Sequence, residues 1–258
     1  MMTNNTMTSG GNRLISGENA ASAEGSDDMW MALIDFFRGG DEVDTLGSDF
    51  RKMLEITREM AAIVRPHVFD HSLDLEARRH VYKLDIEVNK LERSIRKRIV
   101  THLSLQPNQV PYCLLLMTLV KDAERIGDYV KNVSEVGELG GKAVPAGPLR
   151  DELESLIELA TELHEAAPVV VLEQDRERAT ELIQAGRAAG KRCDRLLVEL
   201  SRTDLGAAQT TSMVLLTRFY KRIGAHLVNV LSSVVMPVHK VDFFDERTMS
   251  DASANADV

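Results

Sequence analysis

The sequence has 258 residues, a formal net charge of −9, 44% hydrophobic residues and 5% aromatic residues. This composition is typical of a soluble globular protein, and the acidic balance argues against binding nucleic acid by overall charge. No apolar run approaches the roughly 18 residues that span a bilayer, and the polar first residues lack the apolar core of a signal peptide. We therefore expect a cytoplasmic protein.

The first 43 residues divide into a polar segment and a short apolar one. Residues 1–28 are small and polar without periodicity, which predicts a disordered tail. Residues 29–43 contain the amphipathic stretch Trp30–Phe37, followed by Gly39 and Gly40. This stretch predicts a short helical arm that either packs on the main body or docks on a partner.

Two sets of three long helices follow in the sequence. Apolar residues recur every three or four positions, breakers separate these runs, and no window shows strand-like alternation. The predicted helices cover about 44–65, 75–104, 109–139, 149–172, 173–202 and 207–239. We therefore predict an all-α protein with two three-helix bundles, at 44–139 and 149–240. A linker at 140–148 joins them and a polar tail covers 241–258.

A short internal repeat relates the two predicted bundles. The segment Arg125–Gly127 recurs as Arg222–Gly224, at an offset of 97 residues, and each copy lies in the third helix of its half. Glycine is unfavourable in a helix interior by about 1 kcal/mol relative to alanine. We therefore expect a neighbouring helix to approach closely at each repeated glycine.

The first copy of the repeat carries a row of polar side chains on one helix face. Glu124, Asp128 and Asn132 lie four residues apart, and two like charges at this spacing repel mildly. Water, basic neighbours or a bound cation would offset that repulsion. The second copy has Lys221 and Ala225 in place of the two acids, so we expect a cation site only in the first half.

Further oxygen ligands are predicted beside this row. If the turn between the second and third helices is centred near residue 106, Asp85 and Asn89 face the row, and Glu59 of the first helix lies at a similar height. Such a cluster suits Mg²⁺, Ca²⁺, Mn²⁺ or oxidised iron. The competing interpretation is a solvated acidic face. A catalytic site is the weakest interpretation, because the Glu-x-x-His pairs of di-iron bundles are absent.

Two segments resemble the PhoU-domain family. Asp122–Val133 resembles the E-x-x-x-D signature of that family, and Asp85–Glu92 resembles its D-x-x-I-N-x-L-E segment in the preceding helix. The spacing between the segments also matches. The resemblance is specific over about 75–138 and extends more weakly over 44–240. It implies a six-helix fold of two three-helix bundles.

The resemblance also implies a function. The chain would be a metal-binding, non-enzymatic regulator of phosphate transport or phosphate-starvation signalling, acting through contacts with a transporter or a sensor kinase. One site in the first half would hold a divalent or trivalent ion (iron, manganese, magnesium or zinc). The implied ligands are Glu124, Asp128 and Asp85, with Asn89, Asn132, Asp122 and Glu59 around them.

The expected partners are proteins. A homodimer is expected, nucleic acid is not, and any membrane contact would be peripheral. The alternative function is a metal-independent helical adaptor for a transporter or another partner.

Overall fold

Six long α-helices make up most of the chain that the computed structural model describes, which comprises residues 42–105, 110–236 and 241. A 3-10 turn, Arg65–His67, follows the first helix. These residues contain no β-strand, so the all-α prediction is confirmed. The helices are α1 (Glu42–Val64), α2 (Leu75–Leu105), α3 (Val110–Ser134), α4 (Pro148–Glu173), α5 (Arg176–Leu200) and α6 (Ala207–Val235).

The ends of α1, α3 and α6 differ from the predicted ones. α1 begins at Glu42, so it takes in the last two residues of the predicted arm. The rest of the arm, the N-terminal tail and most of the polar C-terminal tail lie outside the described residues. α3 ends at Ser134, earlier than predicted, because hydrogen-bonded turns replace the helix from residue 135. α6 ends at Val235 instead of continuing to 239.

The start of α5 is set by a capping side chain. Asp175 Oδ1 accepts a hydrogen bond of 2.9 Å from the backbone N–H of Arg178. This contact satisfies one of the free N–H groups in the first turn of the helix. α5 therefore begins at Arg176 rather than at the predicted residue 173.

The helices pack as two sets of three around one continuous apolar core. α1, α2 and α3 contact one another, and so do α4, α5 and α6. The sets meet where α3 packs along α6 and where α1 touches α4. Ile126 of α3 and Leu227 of α6 are both fully buried in the shared core. The two helices that carry the repeat therefore lie at the centre of the molecule.

The segment between α3 and α4 is fixed to both sets. Val144 is buried, and its N–H donates to the carbonyl oxygen of Phe69 at 2.7 Å. The N–H of Lys142 donates to the carbonyl oxygen of Ala208, and the Ser212 hydroxyl donates to the Lys142 carbonyl oxygen at 2.7 Å. The predicted linker is therefore held by hydrogen bonds from the first and the last helical regions.

The repeated glycines differ in how closely other helices approach them. A Cβ added to Gly127 would lie 3.4 Å from Thr57 Cγ2, so α1 approaches α3 there as predicted. A Cβ on Gly224 would have no described atom within 4 Å, so that half of the prediction is wrong. The tight approach in the second set is at Gly186 of α5, where a Cβ would lie 2.5 Å from Val228 Cγ2 of α6.

Candidate functional site

A lysine of α3 lies among the acids of the polar row. Lys131 Nζ donates hydrogen bonds of 3.0 Å to Asp128 Oδ1 and to Asp85 Oδ2 of α2. Asn89 Nδ2 lies 3.4 Å from the same Asp85 oxygen. The structure thus brings together three of the predicted residues, Asp85, Asn89 and Asp128. Two of them, Asp85 and Asp128, bind an ammonium group that the sequence prediction did not include.

Arg125 covers the outer side of the row. Its Nη1 lies 3.2 Å from Asp128 Oδ2, and its Nε lies 3.5 Å from Glu124 Oε2. Burial, followed by repulsion from Asp128, raises the pKa of Glu124 to about 7. Glu124 is therefore partly protonated at neutral pH. This protonation reduces the negative charge that the row presents.

The register between α2 and α3 differs from the predicted one. Glu92 is the α2 carboxylate that helps to raise the pKa of Glu124, and Asp85 lies opposite Lys131. Both pairs are centred two residues later along the chain than the predicted centre near residue 106. Glu87 of α2 pairs with Lys52 of α1 at 2.7 Å.

Asp122 makes its polar contacts with the second set of helices. His226 Nδ1 lies 2.7 Å from Asp122 Oδ1, and Asn229 Nδ2 donates to the same oxygen at 3.1 Å. Both Asp122 and His226 are buried. Two residues along a helix are roughly 200° apart, so Asp122 and Glu124 point to different sides of α3. Asp122 therefore contributes to the α3–α6 contact and not to the cluster around Lys131.

The side chains of two further predicted residues form no hydrogen bond or ion pair with the cluster in the part of the chain that the structure describes. Glu59 of α1 has its Oε1 3.3 Å from His80 Nε2, near the start of α2. Asn132 is half-buried, one helical turn beyond Asp128. Of the seven residues predicted for the site, the geometry therefore gathers Asp85, Asn89 and Asp128 closely, with Glu124 beside them.

The described donors do not fit a metal ion as they are arranged. Within residues 42–105, 110–236 and 241, no three His, Cys, Asp or Glu side chains are placed to hold one. A cation between Asp85 and Asp128 would have to displace the Lys131 ammonium. Partial burial disfavours that charge, but hydrogen bonds to both acids outweigh burial and raise the pKa of Lys131. Metal binding by Glu124, Asp128 and Asp85 stays a prediction.

The second copy of the repeat has a different set of polar contacts. Lys221, which stands in the position of Glu124, donates to Asp194 Oδ1 of α5 at 2.5 Å. Arg222 Nε donates to the Tyr129 hydroxyl of α3 at 3.2 Å. The side chains of the second copy therefore form contacts between helices, and they supply no acidic row.

The comparisons with known proteins agree with this fold and with the position of the row. The family model of the PhoU domain matches residues 50–137, which run from α1 to the end of α3 and beyond. Over these residues the chain is similar to the PhoU-domain family. The match includes Asp85, Glu124 and Asp128, on which the sequence resemblance rested.

One curated relative and two solved structures resemble this chain. The relative, from Deinococcus radiodurans, is the phosphate-specific transport system accessory protein PhoU homolog, 30% identical over 84 residues. That match covers 33% of this chain and 38% of the relative. The crystal structure of PhoU from Pseudomonas aeruginosa has a TM-score of 0.66 at 19% identity, covering 77% of this chain and 97% of that chain.

The second solved structure is the phosphate transport system regulatory protein PhoU from Streptococcus pneumoniae. It has a TM-score of 0.63 at 16% identity, and the match covers 74% of this chain and 92% of that chain. At these identities the two structures establish the fold. The likeness extends over both sets of helices, whereas the family model covers the first set.

Proposed function

We propose that this chain is a PhoU-domain protein that regulates a phosphate transport system through protein contacts. The observation that carries the proposal is the PhoU-domain match over 50–137, set within a six-helix fold that two PhoU crystal structures share. The curated relative is a phosphate-specific transport system accessory protein. The role is regulatory rather than enzymatic, and it requires no reaction at the acidic row.

Phosphate uptake in cells tests this proposal. Deleting the gene for this chain in its host should raise phosphate uptake in phosphate-rich medium, because the proposed regulator restrains the transporter. A plasmid copy should restore the original rate. Unchanged uptake in both phosphate-rich and phosphate-poor medium would contradict the proposal.

The proposed partners are a phosphate transporter, a sensor kinase or both. The described residues contain no helix that is long and apolar enough to cross a membrane. As part of the same proposal, the chain acts from the cytoplasm, by contact with the transporter at the membrane. An affinity-tagged chain should retain a transporter subunit or the kinase from detergent-solubilised membranes. Recovery of neither, with both present in the starting material, would count against these partners.

A homodimer is part of the same proposal. Light scattering after size-exclusion chromatography measures the mass of the purified chain directly. A mass near twice that of the 28.7 kDa chain would support the dimer. A mass that stays at one chain across a tenfold range of concentration would contradict it.

The metal is the point on which the two forms of the proposal differ. In one form, the row binds a divalent or trivalent ion in the first set of helices. In the other, the chain is a metal-independent adaptor. The Lys131 ammonium between Asp85 and Asp128 favours the metal-independent form, because it already supplies the balancing positive charge.

Elemental analysis of the purified protein separates the two forms. If the row binds metal, the wild type should retain it in near-stoichiometric amount and the double variant Glu124→Ala/Asp128→Ala should lose it. The matched control is Glu177→Ala/Glu181→Ala, an exposed pair of acids with the same spacing on α5. Equal metal content in all three proteins would contradict metal binding at the row and would support the metal-independent adaptor.

A further inference from the structure

A cavity of about 620 Å³ lies between the two sets of helices, apart from the acidic row. Side chains of α1, α3, α4 and α6 line it, together with Pro66 and Phe69 after α1. Its volume is in the range of sites that bind small organic molecules, about 300–1,000 Å³. Much of the lining is apolar, including Val64, Val130 and Ile157.

Three guanidinium groups give the cavity an anion-binding character. Arg58, Arg65 and Arg150 line it, against two exposed carboxylates, those of Glu154 and Glu165. The formal charge of this lining is therefore positive by one when the histidine there is neutral. Guanidinium groups suit phosphate and carboxylate, since they present several N–H donors in a planar fork.

Two of the arginines are held in place by protein contacts. Arg65 Nη1 donates to Thr161 Oγ1 at 2.6 Å. Arg150 lies over the Phe69 ring at 4.4 Å from its centre, and its Nη1 donates to the Val144 carbonyl oxygen at 3.1 Å. These contacts use only part of the donor capacity of each guanidinium and fix its position, which lowers the entropy lost on binding.

Arg58 and Tyr220 have unused donors at the cavity. Within the described part of the chain, neither side chain forms a hydrogen bond or an ion pair. Burial raises the pKa of the Tyr220 phenol, so it stays protonated and can donate. Exposed Arg58 is free to pair with an anion that enters the cavity.

His164 closes the inner end of the cavity without adding a charge. Its Nε2 lies 2.9 Å from the Thr57 hydroxyl, which itself donates to the Leu54 carbonyl oxygen. The hydroxyl must therefore accept a hydrogen bond from His164. Complete burial, with a smaller contribution from Arg58, lowers the pKa of His164 to about 4, so the ring is neutral at physiological pH.

From these observations, the structure assigns this cavity as a binding site for a small organic anion. The ligand class has an apolar body and one phosphate or carboxylate group. The body would lie against the apolar lining, and the anion would pair with Arg58 and Arg65. The Tyr220 hydroxyl would donate to an acceptor on the ligand. This assignment goes beyond the proposed role in phosphate transport, and its test does not depend on that role.

The test uses the full-length protein and 1-naphthyl phosphate, which combines an aromatic body with a phosphate group. Isothermal titration should show saturable binding. Inorganic phosphate and 1-naphthol, its two halves, should each bind at least about tenfold more weakly, and 1-naphthoate serves as the carboxylate counterpart. Either half binding as tightly as the whole molecule would overturn the assigned ligand class. If neither naphthyl anion showed saturable binding, the assignment of this cavity as an anion-binding site would be overturned.

Matched variants locate the binding. Arg58→Gln should weaken 1-naphthyl phosphate binding by about tenfold, the usual effect of losing one charge-assisted hydrogen bond. Arg79→Gln removes an equally exposed charge on α2, outside the cavity, and should leave binding unchanged. Tyr220→Phe removes one hydroxyl and should weaken binding severalfold. Equal affinity in Arg58→Gln and wild type, with unchanged melting curves, would overturn the assignment.

Discussion

The third helix of each set carries the repeated segment, but the two copies contain different kinds of contact. On α3, Asp128 and Lys131 belong to a cluster of charges with Asp85. At the equivalent positions of α6 are Ala225 and Val228, and Val228 approaches α5 where that helix has a glycine. The acid and the lysine that balances it are thus both absent from the second copy. In the first set, the acid Asp128 and the lysine that balances its charge therefore occur together.

The two copies also contact each other. Asp122 and Tyr129 of α3 meet Arg222, His226 and Asn229 of α6, and the rings of Tyr129 and His226 stack with centres 5.8 Å apart. Asp122 and His226, at the centre of this contact, are buried, whereas Asp128 and Lys131 of the row are partly exposed. The contact between the copies should therefore matter more for stability than the row does. The following predictions test that difference, from the largest expected effect to the smallest.

Breaking the buried contact between α3 and α6 should have the largest effect. Asp122→Ala should lower the free energy of unfolding by about 3 kcal/mol, because it leaves buried His226 and half-buried Asn229 without their acceptor. Urea unfolding followed by circular dichroism measures the change. Asp122→Asn keeps an acceptor oxygen and should lose less. Equal and small losses in both variants would contradict the importance of this contact.

The second polar contact between the sets should make stability depend on pH. The folded-state pKa of His164 is lowered to about 4 by burial, from an ordinary value of 6.5. As the pH falls below about 6.5, His164 becomes protonated in the unfolded chain but stays neutral in the folded chain. Stability should therefore fall between pH 6.5 and pH 4, by up to roughly 3 kcal/mol from this residue.

Urea unfolding at pH 7 and pH 4.5, for wild type and His164→Leu, isolates this effect. Other groups also titrate in this range, so the informative quantity is the difference between the two pH dependences. The variant should lose less stability on acidification than the wild type. Parallel losses in the two proteins would show that His164 is not responsible.

Alanine substitution should have opposite effects on the stability of the fold at two glycines of the second set of helices. Gly186→Ala should destabilise the fold by about 1–3 kcal/mol, because the added Cβ would lie 2.5 Å from Val228 Cγ2. Gly224→Ala should stabilise it by about 0.5–1 kcal/mol, because its Cβ would enter open space within a helix. Thermal unfolding of both variants checks the signs. The same sign for both would contradict the described packing of α5 on α6.

Removing the counter-charge from the row should have a smaller effect on stability. Lys131→Met leaves Asp85 and Asp128 without their shared cation. It should lower the free energy of unfolding by about 1 kcal/mol, because these ion pairs are partly exposed. Adding Mn²⁺ should raise the melting temperature of this variant and have little effect on the wild type. A larger rise in the wild type would show that a metal displaces Lys131, which would restore the metal-binding form of the proposal.

Much of the fold follows from the sequence because it depends on local patterns. The spacing of apolar residues located all six long helices, and Leu75 was predicted as the first residue of α2. The predicted helix ends were less accurate where a capping side chain sets the end, as Asp175 does for the start of α5. The division into domains at 140–148 stays a prediction.

The site was only partly predictable. A shift of two residues in the register between α2 and α3 placed Glu92 near Glu124 and paired Asp85 with Lys131. The signal for Lys131 was present, since it lies three residues after Asp128 on the same helix, where side chains are neighbours. The contact of Asp122 with His226 spans 104 residues, and no local pattern indicates such a contact.

The sequence by itself determined the helices, the repeat and the presence of one acidic row, because these depend on residue spacing along the chain. The tertiary structure decided what balances that row, which face of α3 meets α6, and where a cavity opens between the sets. Those features arise when helices distant in sequence pack together. Side-chain reach and burial then select the partner of each charge.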